Sequence, residues 1–528
     1  TLQHPSRFIP FTSRVAPIMS SFDRWMTAAP DAPARFKEAM DQAHYTESGL
    51  EELFKGQPVS SFRHGYRETA ALACRIRQRD EPSAVLFRLF TLGIDQPLAD
   101  VRRALGDFPL EEAQALGVVG PGSSPETIRA EVAFMTFSSL LLAYDSPTWK
   151  RCDPSELVMG VTPSTLALWR RVIPLEGGSL LDLGTGGGAL ALAAPGRADL
   201  AVGTDLNSRA VAISKFNAAL NRLDNERHRF LEGDGFAPVA GESFDRIISN
   251  PPFVVSPERK YLYRDGGEPG DQLCQRIVRQ SVDFLNEGGF AQIVVNWTGS
   301  TLEEARSATK LVEWSRGLGC DVLIRTDQPD DPVSYLQHWC ESEPSDRAEE
   351  LIRRFEVWLD HFRELGIGAV GAGMIALRKR TVAPGDPPHL VEIEEEPNVL
   401  NGYGQALAET FRAYDTIGGP LKEDNALLDR VFSPSPDLRL DQRIAFSDEA
   451  QRWNVADCRI RLLSGPGFDH DIDQPSVAML TRLNGRDTLR TIVEQVTKSL
   501  NQTFAEAAPI YCRIIRLAYP RGLVRLVK

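Results

Sequence analysis

The four consecutive residues Asn250-Pro251-Pro252-Phe253, which follow the apolar pair Ile247-Ile248, have the clearest chemical capability in the chain. Proline has no N–H, so two adjacent prolines remove two donors and leave nearby carbonyl groups free to accept hydrogen bonds. The side-chain oxygen of Asn250 and the carbonyl of Pro251 can then accept both hydrogens of a planar NH2 group, while Phe253 stacks on its plane. This arrangement favours attack by the nitrogen on an electrophilic carbon. The alternative is that these residues form only a turn at the end of a strand.

A glycine-rich segment, Gly184-Thr185-Gly186-Gly187-Gly188, stands earlier in the chain, directly after the apolar run Leu180–Leu183. Glycine allows a tight turn and lets a ligand approach the backbone closely. The dinucleotide fingerprint Gly-x-Gly-x-x-Gly is not matched, because Ala189 stands at its third glycine position. The segment therefore predicts a ligand-binding turn of another kind, and an ordinary turn is the alternative.

Two carboxylates follow the next two apolar runs. Asp205 lies about 20 residues beyond the glycines, where a carboxylate can accept hydrogen bonds from both hydroxyls of a ribose. Its alternative role is to cap the helix that begins near Ser208. Asp234 can accept from the exocyclic amine of an adenine while Phe236 flanks the ring, or it is simply a turn residue.

An alternation of strands and helices positions these residues. Short apolar runs predict seven strands, at Ser179–Leu183, Leu200–Thr204, Arg229–Glu232, Arg246–Ser249, Ala291–Asn296, Val322–Arg325 and Met374–Arg378. Helical patterns lie between them, near Ala189–Ala194, Ser208–Asn221, Asp271–Asn286, Leu302–Gly317 and Ala348–Leu365. Such alternation predicts an α/β fold with a mostly parallel sheet covered by helices on both faces.

The flanking segments predict two further domains. Residues 20–150 read as a helical domain in which Ala84–Val119 resembles a winged-helix unit. Residues 151–380 contain the predicted sheet. Residues 381–528 begin with a probable linker at Pro384–Pro388 and an acidic run, and they end in a second winged-helix-like pattern from Pro475 to Lys528.

Composition narrows the class of protein. The 528 residues are 42% hydrophobic and 25% charged, which is typical of globular proteins rather than disordered ones. With 59 basic and 72 acidic residues, the net charge of −13 gives a polyanion no long-range attraction. The seven cysteines are scattered and contain no C-x-x-C pair, which predicts a reducing, cytoplasmic location without disulfides or a metal site. Apolar runs too short to span a bilayer predict no membrane segment, and Met19 is a candidate natural start.

From about Met159 to Arg378, the chain resembles the S-adenosylmethionine-dependent methyltransferases of the small-domain superfamily. That group includes the release-factor glutamine N5-methyltransferases and the ribosomal-RNA guanine N2-methyltransferases. The resemblance is carried by Asp182–Gly188 and by Asn250–Phe253. It implies a seven-stranded, Rossmann-like class I methyltransferase sheet with its last strand antiparallel. The layout of the whole chain resembles three-domain bacterial methyltransferases.

The resemblance also assigns roles to individual residues. It implies S-adenosyl-L-methionine as cofactor, bound by Asp182, Gly184, Thr185, Gly186, Asp205, Leu206, Asp234, Gly235, Phe236 and Asn250. It implies that the catalytic amine site consists of Asn250, Pro251, Pro252 and Phe253. The segment Met159–Thr165 is placed where the family closes over the methionine end of the cofactor. We expect Phe253, Tyr261, Tyr263 and Arg264 to line the mouth of the substrate site, although the loop containing the last three can equally be a plain surface loop.

The predicted function is transfer of a methyl group to a planar amide or exocyclic amine nitrogen. The extra modules favour a macromolecular acceptor, either a protein glutamine or a nucleobase, and a small-molecule amine is the other substrate class. An alternative of a different kind is a regulator that binds S-adenosylmethionine without catalysis. The amine-binding motif disfavours a regulator, because sensing the cofactor does not require it.

Overall fold

The structure is a computed structural model that describes residues 25, 29–54, 76, 79–149, 151–194, 196–223, 226–340, 348–380, 390–395, 402–447, 451–465 and 467–527. Met19 and the predicted linker at Pro384–Pro388 lie outside these residues. The described chain forms two compact units. The first contains the residues up to Gly160 together with 186–189 and 208–225, and the second contains the remainder.

The amino-terminal part of the first unit is mainly helical. Its elements are α1 (Ala32–Gln42), α2 (Glu47–Leu53), α3 (Pro82–Phe90), β1 (Gln96–Pro97), α4 (Leu98–Leu105), α5 (Leu110–Ala115), β2 (Val119–Pro121), β3 (Thr127–Ala130), β4 (Ala133–Phe137) and β5 (Leu140–Tyr144). From α3 to β3 the order is helix, strand, two helices and two strands, and the strands pair in the order β1-β3-β2. This order is compatible with the winged-helix unit predicted from the sequence, which stays a prediction.

The second unit is built around one large sheet. Its elements up to residue 379, together with α8 of the first unit, are α6 (Pro163–Arg171), β6 (Leu175–Glu176), β7 (Ser179–Leu183), α7 (Ala189–Ala193), β8 (Gly196–Arg197), β9 (Leu200–Asp205), α8 (Ser208–Leu220), β10 (His228–Glu232), β11 (Phe244–Ser249), α9 (Gln272–Ser281), β12 (Leu285–Gly299), α10 (Leu302–Ser307), α11 (Thr309–Ser315), β13 (Cys320–Thr326), α12 (Pro332–Cys340), α13 (Ala348–Glu364) and β14 (Ala369–Lys379). Short 3-10 turns cover Ala237–Val239 and Val282–Phe284.

The sheet has the strand order β10-β9-β7-β11-β12-β14-β13, followed by an eighth edge strand, β15 (Leu390–Glu395). The strands from β10 to β12 pair in parallel, and β14 runs antiparallel to both of its neighbours. The predicted seven-stranded Rossmann-like sheet with an antiparallel last strand is therefore confirmed. Because parallel strands share one direction, β7, β9, β10 and β11 present their carboxyl ends at the same edge.

Both faces of this sheet are covered by apolar side chains, as expected for parallel strands. Leu181 and Leu183 of β7 belong to one core, which also contains residues of α9 and α11. Leu180 belongs to the core on the other face, where α6 and α14 (Tyr403–Gly418) pack. The alternation along β7 explains why Leu180, Leu181 and Leu183 are all buried although they lie on two faces of one strand.

Helix α14 lies beyond the domain boundary predicted at residue 380, yet it packs on the sheet. Its residues Tyr403, Leu407 and Phe411 are fully buried there. Arg378, at the end of β14, donates to Asp415 of this helix at 2.7 Å and to Asp321 at 2.9 Å. Chain beyond the predicted boundary thus contributes to the packing around the sheet. The three-domain division stays a prediction.

The remaining chain forms a separate core within the second unit. Its elements are α15 (Asp424–Leu428), β16 (Phe432–Pro434), β17 (Leu438–Ser447), β18 (Arg452–Leu462), β19 (Phe468–Asp471), α16 (Gln474–Leu480), α17 (Leu489–Leu500), α18 (Phe504–Ala518) and β20 (Val524–Leu526). The four helices pack together with β16 and β20, which pair antiparallel. Strands β17 and β18 form a long antiparallel hairpin that the sequence did not predict.

Candidate active site

Asn250 lies directly after β11, and only the NH2 group of its side-chain amide is hydrogen-bonded within the described chain. Its Nδ2 donates to Ser164 Oγ at 3.1 Å and to Thr165 Oγ1 at 3.0 Å. Its Oδ1 is buried and has no hydrogen-bond partner among the residues that the structure describes. A buried acceptor without a partner is costly. The arrangement therefore presents an oxygen that is ready to accept a hydrogen from a ligand.

The residues after Asn250 continue this acceptor region. Pro251 is buried, whereas Pro252 and Phe253 are half-buried. A Cβ built on Gly266 would lie 2.8 Å from the carbonyl oxygen of Pro252, so only glycine fits beside the motif without a shift. Val254 also forms a bridge with Asp265. The loop after the motif thus packs directly against it.

The glycine-rich loop turns at the carboxyl end of β7. Gly184 and Gly186 have φ values of +73° and +54°, a conformation that strains residues with a Cβ. The backbone N–H groups of Gly184 and Thr185 both donate to Thr204 O at 2.9 Å, which ties the loop to β9. A Cβ built on Gly184 or on Gly186 meets no heavy atom within 4 Å. Open space therefore lies beside both glycines, as a ligand that approaches the backbone requires.

Asp182 is a fully buried carboxylate beneath this loop. Its Oδ2 accepts from Thr185 Oγ1 at 2.7 Å and from Ala191 N at 3.1 Å. Its Oδ1 is buried without a hydrogen-bond partner in the described chain. Burial raises the pKa of Asp182 to about 7, because desolvation penalises the charged form more than the two hydrogen bonds favour it. A cationic or hydrogen-donating ligand group would restore the ordinary preference for ionisation.

Asp205 and Leu206 follow at the end of β9. Asp205 Oδ1 accepts from Asn207 N at 2.9 Å, a local turn that leads into α8. This contact supports the local role considered as an alternative. Leu206 is 58% exposed. It therefore offers an apolar surface beside the carboxylate.

The segment after β10 divides into an exposed and a buried part. The side chain of Asp234 is 71% exposed and lies 4.0 Å from Arg276. Gly235 has φ +54°, and its carbonyl accepts from Thr204 Oγ1 at 3.2 Å. Phe236 is buried, and its ring stacks on Phe284 with centroids 4.5 Å apart. This packing favours a core role for Phe236 over the predicted contact with an adenine ring.

Arg264 does not line an open substrate mouth, contrary to the prediction. It is 4% exposed, because its guanidinium pairs with Asp265 at 2.7 Å and with Glu258 at 2.6 Å. Tyr261 and Tyr263 are half-buried, with ring centroids 5.4 Å apart, so their predicted role as lining residues stays open. The sequence pattern showed a charged loop but could not show that its cation is neutralised internally.

Several residues that reach the motif were missed at the sequence level. The ring of Phe253 lies 6.1 Å from that of Trp339 on α12, in an edge-to-face arrangement. The hydroxyl of Tyr335, on the same helix, accepts from Val255 N at 3.0 Å and from Asn296 Nδ2 at 2.9 Å. The Thr162-Pro163 pair at the start of α6 is a helix-start signal and could have indicated that Ser164 and Thr165 lie in the first turn of a helix.

Two further properties concern the described part of the chain as a whole. Within it, no group of three or more His, Cys, Asp or Glu residues is placed to hold a metal ion. No helix there combines the length and apolar character needed to cross a membrane.

Comparisons with known proteins single out the same region. Residues 161–305 match a family described as the methyltransferase small domain. Residues 42–131 match a second family, described as a domain of unknown function, DUF7059. The first match includes α6, the glycine loop, Asp205, Asp234 and the Asn250 motif.

Individual relatives align with parts of the chain. A protein of Methanocaldococcus jannaschii, provisionally named a protein N5-glutamine methyltransferase, is 28% identical over 182 residues, which are 33% of this chain and 88% of that protein. The release factor glutamine methyltransferase of Caulobacter vibrioides is 33% identical over 141 residues, or 24% of this chain and 48% of that enzyme. The enzyme of the same name from Agrobacterium fabrum is 27% identical over 241 residues, or 40% of this chain and 82% of that enzyme. The chain therefore spans about half of the Caulobacter enzyme and most of the other two.

Proposed function

Because residues 161–305 carry a methyltransferase small domain, we propose that this protein methylates the side-chain amide nitrogen of a glutamine in a protein, with S-adenosylmethionine as methyl donor. The resemblance seen in the sequence is confirmed by the family match and by the relatives. The observation that carries the choice of a planar NH2 acceptor is the buried, unpartnered Oδ1 of Asn250.

The residues at the strand ends fit S-adenosylmethionine. Open space beside Gly184 and Gly186 allows a ligand to approach the loop backbone, and the unpartnered Oδ1 of Asp182 can accept from a polar or cationic group. Asp205 would hold the ribose hydroxyls, and the exposed side chain of Leu206 would contact the adenine ring. Thr185, Asp234 and Gly235 complete the proposed binding residues. When bound, the cofactor supplies a methyl group on a sulfonium, which is an electrophilic carbon.

The residues of the chain itself act by orienting the acceptor nitrogen. An amide nitrogen is a weak nucleophile because its lone pair is delocalised, so alignment within about 3 to 3.5 Å of the reacting carbon supplies much of the rate. Asn250 Oδ1 and the Pro251 carbonyl would each accept one amide hydrogen, and Phe253 would pack on the amide plane. Transfer would join the reacting carbon to the nitrogen while the bond from the carbon to the sulfonium sulfur breaks and its electron pair stays on the sulfur. The nitrogen would then release a proton to water, since alkylation makes that proton acidic. A strong general base before the transfer is therefore unnecessary.

Three observations support a protein acceptor over the other substrate classes. The relatives are named for glutamine methylation. The net charge of −13 gives nucleic acid no long-range attraction. Phe253 and Trp339 offer an aromatic surface beside the motif, which suits a peptide side chain. A regulator without catalysis is disfavoured, because it would not need an acceptor site for an amine.

The proposal is tested by following labelled methyl groups. The full chain is incubated with methyl-labelled S-adenosylmethionine and either a purified bacterial release factor or a lysate pretreated with protease or nuclease. Acid hydrolysis of an N-methylated glutamine releases methylamine, so we expect volatile label that protease removes and nuclease does not. Label retained on nucleotides or on small molecules would contradict the proposal, and so would the absence of transfer to any fraction.

The glycine loop yields a prediction with a matched control. Gly184→Ala is expected to weaken S-adenosylmethionine binding about 10- to 100-fold, because the methyl group would occupy the open space beside the loop. Gly241→Ala places the same methyl group at φ +85°, also with no heavy atom within 4 Å, in a turn before β11. Both variants carry the backbone strain, which costs about 1 to 2 kcal/mol. Titration calorimetry should show weakened binding only for Gly184→Ala, and equal weakening in both variants would contradict the proposed cradle.

We also propose that the enzyme acts in the cytoplasm. All cysteines in the described part of the chain are free thiols, among them the buried Cys274, Cys320 and Cys340. Unpaired cysteines are typical of a reducing compartment. Fractionation of cells that express the tagged full chain would test this location.

A further inference from the structure

The amide of Asn250 is held by a small cluster of hydroxyl groups at the start of α6, formed by Thr162, Ser164 and Thr165. Ser164 Oγ and Thr165 Oγ1 both accept from Asn250 Nδ2, at 3.1 and 3.0 Å. These two hydroxyls lie 2.9 and 2.8 Å from Thr162 Oγ1. Thr162 Oγ1 also accepts from Thr165 N at 3.2 Å, which caps the helix. The amide is therefore connected to the first turn of α6 and to its N-cap.

We propose that Ser164 and Thr165 are positioning residues, whose hydroxyls fix the side-chain amide of Asn250 so that Oδ1 faces the acceptor nitrogen. This inference rests on the proposed function. An asparagine amide can be rotated by 180° with little change in shape, and the exchange of oxygen and NH2 reverses its hydrogen-bonding character. Only one of the two orientations can receive hydrogens from a substrate amide.

The surroundings favour the orientation seen in the structure. The NH2 group has two hydrogens, and here two hydroxyl oxygens are available to receive them. In the reversed orientation, the NH2 group would leave the two hydroxyls that now accept from it. The hydroxyl pair thus selects the polarity that the proposed reaction needs.

The cluster belongs to the segment Met159–Thr165, which the resemblance places over the methionine end of the cofactor, but the hydroxyls of Ser164 and Thr165 both accept from Asn250 Nδ2. Ser164 and Thr165 precede β7 by more than one helical turn of α6, whereas the glycine loop follows β7. In the described part of the chain, the hydrogen bonds with Asn250 Nδ2 connect these two hydroxyls to the acceptor motif. Removal of the hydroxyls should therefore disturb the orientation of the acceptor nitrogen before it disturbs cofactor affinity.

The test compares three double variants of the full chain in the glutamine methylation assay. Ser164→Ala/Thr165→Val removes both hydroxyls with little change in volume, and we expect kcat to fall about 10- to 100-fold, as for two lost hydrogen bonds. The KM for S-adenosylmethionine should stay within about threefold of the wild type. Ser164→Thr/Thr165→Ser exchanges the two hydroxyl residues and should retain kcat within about threefold. The control Ser281→Ala/Thr497→Val makes the same chemical changes at buried sites of α9 and α17.

The outcomes separate this inference from the proposed function. If the wild type releases no labelled methylamine from any protein, the proposed function fails and this inference fails with it. If the wild type is active, an unchanged kcat in Ser164→Ala/Thr165→Val overturns the positioning role alone. The positioning role is also overturned if Ser164→Ala/Thr165→Val loses kcat and cofactor affinity by equal factors. It is overturned as well if kcat in Ser164→Thr/Thr165→Ser is as low as in Ser164→Ala/Thr165→Val. Thermal melting shows whether the hydroxyl-free variant folds. If it does not fold, the single variants Ser164→Ala and Thr165→Val test the positioning role by the same criteria, with Thr165→Ser as the variant that keeps a hydroxyl.

Discussion

Asn250→Ala is expected to lower the turnover of glutamine methylation about 100- to 1000-fold while the affinity for S-adenosylmethionine stays within about threefold. The variant removes Asn250 Oδ1, the buried acceptor of the motif, which has no partner in the described chain and can receive a substrate hydrogen. Removing a single preorganised polar group from an active site typically costs a factor of this size. The measurement pairs a single-turnover methyl-transfer assay with calorimetric titration of the cofactor.

Asn286→Ala is a suitable control for this variant. Asn286 is also part-buried and uses its Nδ2 in a hydrogen bond, to Asp245 at 2.9 Å, but it lies at the opposite, amino-terminal side of the sheet. We expect Asn286→Ala to change stability rather than turnover. If Asn250→Ala lost cofactor affinity and turnover by equal factors, Asn250 would be a cofactor-binding residue and its proposed catalytic role would be wrong.

The strands of the sheet were predictable because local composition determines them. Apolar runs such as Val322–Ile324 have no alternation with polar residues, and burial on both faces of the sheet explains such a run. All seven predicted strands are present; β7 has the predicted ends, and the other six differ from the prediction at one or both ends. The largest difference is β12, which extends over Leu285–Gly299 and whose antiparallel pairing with β14 continues past the apolar centre as far as Gly299.

Elements defined by distant contacts were not predictable. Helix α12 was missed because its nine residues, Pro332–Cys340, carry only a short apolar pattern. The predicted helix at Leu302–Gly317 is divided in two at Ala308, which has a φ of +49°. Helix α14 follows a proline-rich stretch that indicates a new domain, yet Tyr403 and Phe411 complete the core under the sheet. Such packing depends on partners far away in the sequence, which a pattern of neighbouring residues does not record.

The candidate site likewise contains features that local sequence predicts and features that depend on distant contacts. The positions of the glycine loop and of Asn250 follow from the rule that strand ends meet at one edge of a parallel sheet. The burial of Arg264 does not follow from any local rule, because its neutralisation involves Glu258, which itself pairs with Arg354, 96 residues further along the chain. Likewise, the hydroxyls of Ser164 and Thr165 reach Asn250 across 85 residues or more. Residues of the reaction site were therefore easier to predict from the sequence than the residues that hold them in position.

Glu258 connects the loop after the acceptor motif to helix α13, and its four hydrogen bonds make it the centre of a part-buried charge network. Its Oε1 accepts from Arg354 at 2.6 Å and from Trp358 Nε1 at 3.1 Å. Its Oε2 accepts from Arg354 at 2.8 Å and from Arg264 at 2.6 Å. The hydrogen bonds and charges of these partners outweigh desolvation and lower the pKa of Glu258 to about 2.

Glu258→Gln is therefore expected to destabilise the second unit by roughly 3 kcal/mol near neutral pH, the amount that corresponds to a carboxyl pKa lowered from 4.5 to about 2. It also removes the carboxylate that Arg354 and Arg264 share, and the loss of a part-buried counter-charge is costly. The measurement is the thermal unfolding midpoint, which should fall by several degrees. Because the pKa is lowered in the folded protein, the stabilisation is complete above about 4.5 and is lost as the pH falls toward 2, so the difference from wild type should narrow over that range.

Asp360→Asn provides the comparison, since it also neutralises a carboxylate that pairs with an arginine, here Arg363 on α13. Its side chain and that of Arg363 are 66% and 73% exposed, and exposed ion pairs contribute about 1 kcal/mol or less. Its midpoint should therefore stay close to the wild-type value, and equal midpoints for the two variants would contradict a structural role for the network. A destabilised Glu258→Gln enzyme should also lose turnover more than cofactor affinity, because the loop that Glu258 anchors packs against Pro252 of the acceptor motif. Both the stability of the acceptor side and the rate of methyl transfer would then depend on the Glu258 carboxylate, which takes no part in the reaction.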